Sequence, residues 1–166
     1  MRPAHRSILL ASLCLISACK CWGQSAAQPT PVAARIVSAI DENTLVTLAG
    51  NVHPLARPEF DRGPVADGQP LHRMLLVLQR SAAQESALQQ LLADQQNKAS
   101  GNFHKWQTPA EYGVQFGPAD ADVEAVTGWL TAQGFTDTKV GPGRTAVEFS
   151  GNVAQVRNAF HTQMHQ

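Results

Sequence analysis

Cysteine is missing from most of this chain. The three cysteines, Cys14, Cys19 and Cys21, all lie near the N-terminus. If a leader is removed after Ala27, what remains has no disulfide, no thiol nucleophile and no thiolate metal site. Export without disulfides is compatible with a domain large enough to hold itself by burial. Charge of one sign is also scarce. The chain balances 13 basic against 13 acidic residues. Arg2, Arg6 and Lys20 fall in the leader, so the remainder carries ten basic and thirteen acidic groups. There is no basic stripe and no aromatic ladder among basic residues, which argues against nucleic-acid binding. So small a charge gives no long-range steering. No apolar run is long enough for a permanent membrane span. Ile8 to Ala18 is preceded by Arg2 and Arg6, and it has the length of a signal-peptide core.

Two processing readings stay open, besides a leader that is never removed. Small residues at Ser25-Ala26-Ala27 suit a signal peptidase, giving a secreted chain with a signal peptide over 1–27. Ile16-Ser17-Ala18-Cys19 instead resembles a bacterial lipobox with Cys19 lipidated, giving a periplasmic or envelope lipoprotein. A membrane is a partner only in the second case.

Residues 28–50 read as a leader or tether, with Pro29 and Pro31, and stretch 24–44 is expected to be poorly ordered. Leu45 to Leu48 is a candidate short strand before Gly50. Residues 51–70 hold four prolines and two glycines, which predicts no regular element.

The compact part is expected over 71–166. Met74 to Leu78 is an apolar run that predicts a central strand, buried on both faces. Ser81 and Gln84 form a capping box that opens a helix to about Asn97, with Ala87, Leu88, Leu91 and Leu92 on one face. Residues 100–117 hold Phe103, Trp106, Tyr112 and Phe116. Within them Thr108-Pro109-Ala110-Glu111 is a second capping box. Pro118 leads into a helix with Val123, Val126, Trp129 and Leu130 inward, ended at Gly134 in a left-handed conformation. Segments 135–140 and 145–149 predict a hairpin across Gly141-Pro142-Gly143. Asn152 caps a last helix, and 163–166 begins an extended segment.

That order predicts an α+β fold of the ferredoxin-like split βαβ type: an antiparallel sheet with helices on one face, its fourth strand incomplete. Leu75 and Val77 would then place apolar atoms on the face without helices, which suits a docking element.

No side chain is a candidate for catalysis. No serine sits in a nucleophile elbow, and Gly151-Asn152-Val153 is a helix start rather than a phosphate loop. His161 and His165 are four apart with no third ligand, so no metal site is expected. Trp106 and Trp129 read as packing residues. Four residues stand out as candidates for partner docking or pH sensing: His104, Asp120, Asp122 and Glu124. His104 lies between aromatics and Lys105, and the carboxylates, with Glu111, cluster near helix starts. The plain reading of these carboxylates is capping and a solvated face. The sharper one is an acid-sensitive contact with a partner's basic groups.

The chain resembles the N-terminal activation domain of the sedolisin/kumamolisin family of serine-carboxyl peptidases. The resemblance rests on Asn51-Val52-His53-Pro54-Leu55, Met74 to Leu78, and Asn102-Phe103-His104-Lys105-Trp106 followed by Thr108-Pro109. It continues through Tyr112, Phe116-Gly117-Pro118, Trp129-Leu130, Gly134-Phe135, Val147-x-Phe149-x-Gly151 and Ala159-Phe160-His161-Thr162. It implies a pro-domain, covering 51–166, that helps its peptidase domain fold and blocks it until acid removes the block. The partner implied is the cognate peptidase domain, in cis. That domain would carry the catalytic serine, glutamate and aspartate and a calcium site; this chain would carry no cofactor and be a piece of a longer precursor. The competing reading is a stand-alone envelope lipoprotein or binding module without catalysis.

Overall fold

The computed structural model describes residues 32–166; the expected signal segment 1–27, with its three cysteines, lies outside the described residues. Seven elements follow in order: β1 (Pro70–Val77), α1 (Ala82–Gln96), α2 (Pro109–Phe116), α3 (Asp120–Ala132), β2 (Thr136–Val140), β3 (Ala146–Asn152) and α4 (Val153–Phe160). The strands form an antiparallel sheet of order β1-β3-β2, with the helices on one face.

Local chemistry sets most of the boundaries. At α1 the Ser81 hydroxyl accepts from Gln84 N at 3.2 Å while Gln84 Oε1 accepts from Ser81 N at 3.0 Å. Thr108 and Glu111 repeat the exchange at α2, as do Asn152 and Gln155 at α4. Each box satisfies two N–H groups that a helix start would otherwise leave free. Gly134 ends α3 with φ +82°, a conformation that costs a side-chain-bearing residue and not glycine.

The core is built on β3. Val147 and Phe149 point inward and are buried against Val126 and Leu130 of α3, Phe135 just before β2, and Val156 of α4. Phe135 meets Phe149 edge-on at 4.9 Å, and Trp129 meets Phe160 edge-on at 5.4 Å. Met74, Leu76 and Leu78 close the core from the β1 side. Each fully buried side chain of this kind contributes roughly 1.5–3 kcal/mol.

Several expectations need correction. Among the described residues β1 is an edge strand and β3 is central. The apolar run in β1 is not buried on both faces: Leu75 and Val77 are 64% and 73% exposed. An uninterrupted apolar run fixes neither the strand's neighbours nor what covers its second face. Leu45 to Leu48 is no strand; it is exposed and pairs with no strand among the described residues. On α1, Leu88 is buried but Ala87 and Leu92 are exposed. The other buried residue there is Gln95, whose Nε2 donates to Lys105 O at 2.6 Å and whose carbonyl accepts from His104 N at 3.1 Å. Residues 51–70 hold one short 3-10 turn, Pro58–Phe60, and residues 163–166 run extended. That last stretch pairs with 62–65, through a bridge from Pro64 to His165, rather than with β1.

Both edge strands carry one extra residue opposite Phe149–Ser150. Arg73 in β1 and Asp137 in β2 take left-handed backbone there, with φ +57° and +53°. Paired bulges of this kind raise the local twist and bend the sheet.

The turn between β2 and β3 presses on α2 at Gly113, where any Cβ would collide with the Pro142 carbonyl and crowd Arg144. Gly113→Ala is therefore expected to destabilise the chain by about 1–3 kcal/mol despite alanine's better helix propensity. Urea unfolding checks this; a gain in stability would show that the turn yields freely.

Candidate docking surfaces

The sheet has one covered and one open face. On the open face Leu75 stands in register with Glu148, and Glu148 with Lys139. Arg73 reaches Glu148 at 3.4 Å. Leu75 and Val77 are thus an exposed apolar pair beside a short charged row. Nothing in the described residues covers them. An apolar strip bordered by charges of both signs suits a protein partner.

The four candidate residues do not form one site. Asp120, Asp122 and Glu124 share the start of α3, whereas His104 lies in the loop between α1 and α2. Asp120 pairs with Arg144, which draws the hairpin turn to the helix start, and its side chain stays open to solvent. Glu124 is exposed. His104 takes left-handed backbone with φ +54° and stacks between Phe103, at 3.8 Å, and Trp106, at 5.8 Å. Gln95 holds this loop from beneath, so Trp106 is presented 65% exposed on a fixed backbone, beside a shallow groove with Leu91 and Val114.

Asp122 has a different environment, only 5% exposed. One carboxylate oxygen accepts from Arg35 N at 2.8 Å and Ile36 N at 2.7 Å; the other accepts from Arg35 N at 3.1 Å. Ile36 packs on the core. A second carboxylate reverses the arrangement: Glu42 Oε1 accepts from Trp129 Nε1 at 2.9 Å and Gln133 Nε2 at 2.5 Å. Residues 35–42 are therefore strapped along α3, within the stretch expected to be poorly ordered. Sequence reasoning missed Arg35, Ile36 and Glu42. The one available signal was Ile36-Val37, an apolar pair in a polar stretch, and it named no partner.

Several exposed carboxyls are held below their ordinary range. Asp67 is lowered by the Arg157 guanidinium, Glu85 by Gln89 and then Arg80, Glu111 by the Thr108 N–H and hydroxyl, and Asp61 by the Gly63 N–H and then His165. Among the described residues no group of three histidine, cysteine or acidic side chains is placed to hold a metal ion. No helix there is long and apolar enough to cross a membrane.

The class of protein that the fold defines is a small α+β domain with one open sheet face and charged groups at its rim. Comparison with known proteins places it further. Residues 60–166 match the family described as pro-kumamolisin, activation domain. Over 142 residues, 84% of its length, the chain is 28% identical to xanthomonalisin from Xanthomonas sp. (strain T-22), covering 17% of that protein. It is 30% identical over 100 residues, 60% of its length, to sedolisin from Pseudomonas sp. (strain 101), covering 16% of it. The chain belongs to the pro-kumamolisin activation-domain family. The matched domain is the activation domain of that family, not a peptidase domain.

Two outcomes follow from the strap and the lowered carboxyls. Asp122→Ala removes the acceptor of two backbone N–H groups, Arg35, shared between both oxygens, and Ile36; a hydrogen bond to a charged group is worth roughly 1.5–3 kcal/mol. Amide exchange at Arg35 and Ile36 should speed by about tenfold or more while β3 stays protected. Unchanged exchange would show that Ile36 alone holds the strap. For pH, folded values below the unfolded ones mean stability that is present above about pH 4 and lost as pH falls through the lowered values. The thermal midpoint should therefore drop on acidification below about pH 4. A midpoint flat through that range would show these pairs contribute nothing.

Proposed function

We propose that this chain is the inhibitory and folding-assisting propeptide of a secreted, acid-activated serine-carboxyl endopeptidase. The carrying observation is the family membership of residues 60–166, joined to a sheet whose second face carries the exposed apolar pair Leu75 and Val77. On this reading the leader 1–27 is a signal peptide. The partner is the cognate peptidase domain in the same precursor, and calcium belongs to that domain. The chain spans 17% of the length of xanthomonalisin, which leaves room for such a domain in a comparable precursor.

The reading carries a finer fold as well: a ferredoxin-like domain whose fourth strand lies along the free edge of β1. That would return β1 to the interior of the sheet and remove an exposed edge. Leu75 and Val77 then pack on the peptidase domain, and Arg73, Lys139 and Glu148 make the polar border.

Asp120, Glu124 and His104 are the accessible groups for acid-sensitive contacts. A carboxylate paired with a partner's basic group stabilises the complex above its free pKa and loses that contribution as pH falls through its lowered bound value. Asp122 acts from within, by holding the strap, since its oxygens are already occupied by Arg35 and Ile36.

The test is an inhibition constant against the precursor's own peptidase domain, near pH 7 and near pH 4, with the chain carried through the natural end of its domain. Inhibition near neutrality that weakens about tenfold or more in acid is expected. No inhibition at neutral pH would remove the propeptide reading; equal inhibition at both would remove only the acid release.

A further inference from the structure

Exposed apolar side chains are not spread evenly over this molecule. Of fourteen large apolar residues exposed among the described residues, eight lie between Val37 and Phe60. Scattered single exposures are ordinary on a protein surface, but this concentration in a short stretch is not. Val52, Leu55 and Phe60 are 73%, 63% and 57% exposed.

The stretch is nevertheless organised. Asp41 accepts from Asn43 N at 2.9 Å and from the Thr44 hydroxyl at 2.6 Å. His53 O accepts from Ala56 N at 2.8 Å, and His53 Nδ1 accepts from Leu55 N at 3.1 Å. Arg57 Nε donates to Pro54 O at 3.1 Å, and the 3-10 turn Pro58–Phe60 follows. It is also fastened at both ends. Upstream, Glu42 is held by Trp129 and Gln133. Downstream, Asp61 meets His165 Nδ1 at 2.8 Å, Arg62 N donates to Gln166 O at 2.9 Å, and Gln166 N donates to Gly63 O at 2.9 Å. Residues 43–60 thus form an arm that is turned and anchored while its apolar side chains face outward. Ordering backbone costs about 1–2 kcal/mol per residue, and here no burial within the described residues offsets it.

We infer that the arm 43–60 is a second docking element, separate from the open sheet face, and that its occupant is an apolar surface of the peptidase domain in the same precursor. This rests on the propeptide reading. Two observations select that occupant over others. The base of the arm is paired with residues 163–166, so in a precursor any polypeptide that continues from there, the proposed fourth strand first, sets out from beside the arm. A tethered partner leaving from that point meets the arm at high effective concentration. In addition, the chain matches only 17% of xanthomonalisin and 16% of sedolisin, so precursors of this kind carry ample polypeptide to cover it. The arm would make the propeptide a two-point clamp, with Leu55 and Phe60 as anchors on rigid turns.

The test compares the chain with a V52S/L55S/F60S variant against the precursor's own peptidase domain at neutral pH, in parallel with L92S as a control for exposed leucine outside the arm. Since all three side chains are exposed, the variant's thermal midpoint should stay within about 2 °C of the parent, and L55S alone replaces it if the midpoint falls further. The expected result is an inhibition constant weakened about tenfold or more, with L92S within about twofold. Inhibition by the variant equal to that of the parent overturns the arm and leaves the propeptide reading standing. A parent chain that does not inhibit at all fails the propeptide reading, and this inference with it. Sedimentation equilibrium covers the other occupant: a dimer formed by the parent and lost in the variant, with inhibition untouched, would assign the arm to a second copy and overturn the proposal.

Discussion

The burial of Val147 and Phe149 against Leu130 and Phe135 is the interaction on which the rest of the structure depends. These residues bring a strand and a helix from opposite ends of the α3–β3 segment into one apolar cluster. With β3 held in that way, β1 and β2 have an edge each to pair with, and α4 has a floor for Val156. The paired bulges at Arg73 and Asp137 then flank the buried Phe149, so the local twist of the sheet is raised beside the core.

A core assembled on one side leaves the other side of the sheet uncommitted. Alternation along β1 means that burying Met74 and Leu76 turns Leu75 and Val77 outward. A self-sufficient domain of this size would favour polar residues at those positions. Their apolar character and the exposed arm have the same physical explanation in the propeptide reading: both are surfaces completed by the peptidase domain. Such a domain would be ordered more firmly in the complex than alone, because anything that binds only the folded state stabilises it.

Carboxylates do unequal work in this chain. Asp122 and Glu42 tie the strap to α3 by accepting from backbone and side-chain N–H groups. Asp67, Asp61 and Glu85 are held to basic or amide partners at the surface. Acidification weakens the surface ties of Asp67, Asp61 and Glu85 in the same direction as it would weaken contacts to a basic partner. Loss of the domain's own stability and loss of its docking would then cooperate.

What the sequence determined by itself was local: the three helix caps at Ser81, Thr108 and Asn152, the glycine that ends α3, and the hairpin around Pro142. Each depends on groups three or four residues apart, and the chain spells those out directly. Apolar periodicity likewise marked Val126 and Leu130 as core. Its failure at Met74 to Leu78 has the same origin, since a run of apolar residues says that a strand is apolar on both faces and not whether anything covers them. Only the tertiary structure decided that β3 is central, that Leu45 to Leu48 has no strand to join, and that Asp122 is withdrawn from solvent to hold Arg35 and Ile36. The Asp122 contacts span 86 and 87 positions in sequence. A lone aspartate in the first turn of a helix looks the same whether it faces water or a distant segment, because its partners are backbone N–H groups that every residue but proline carries.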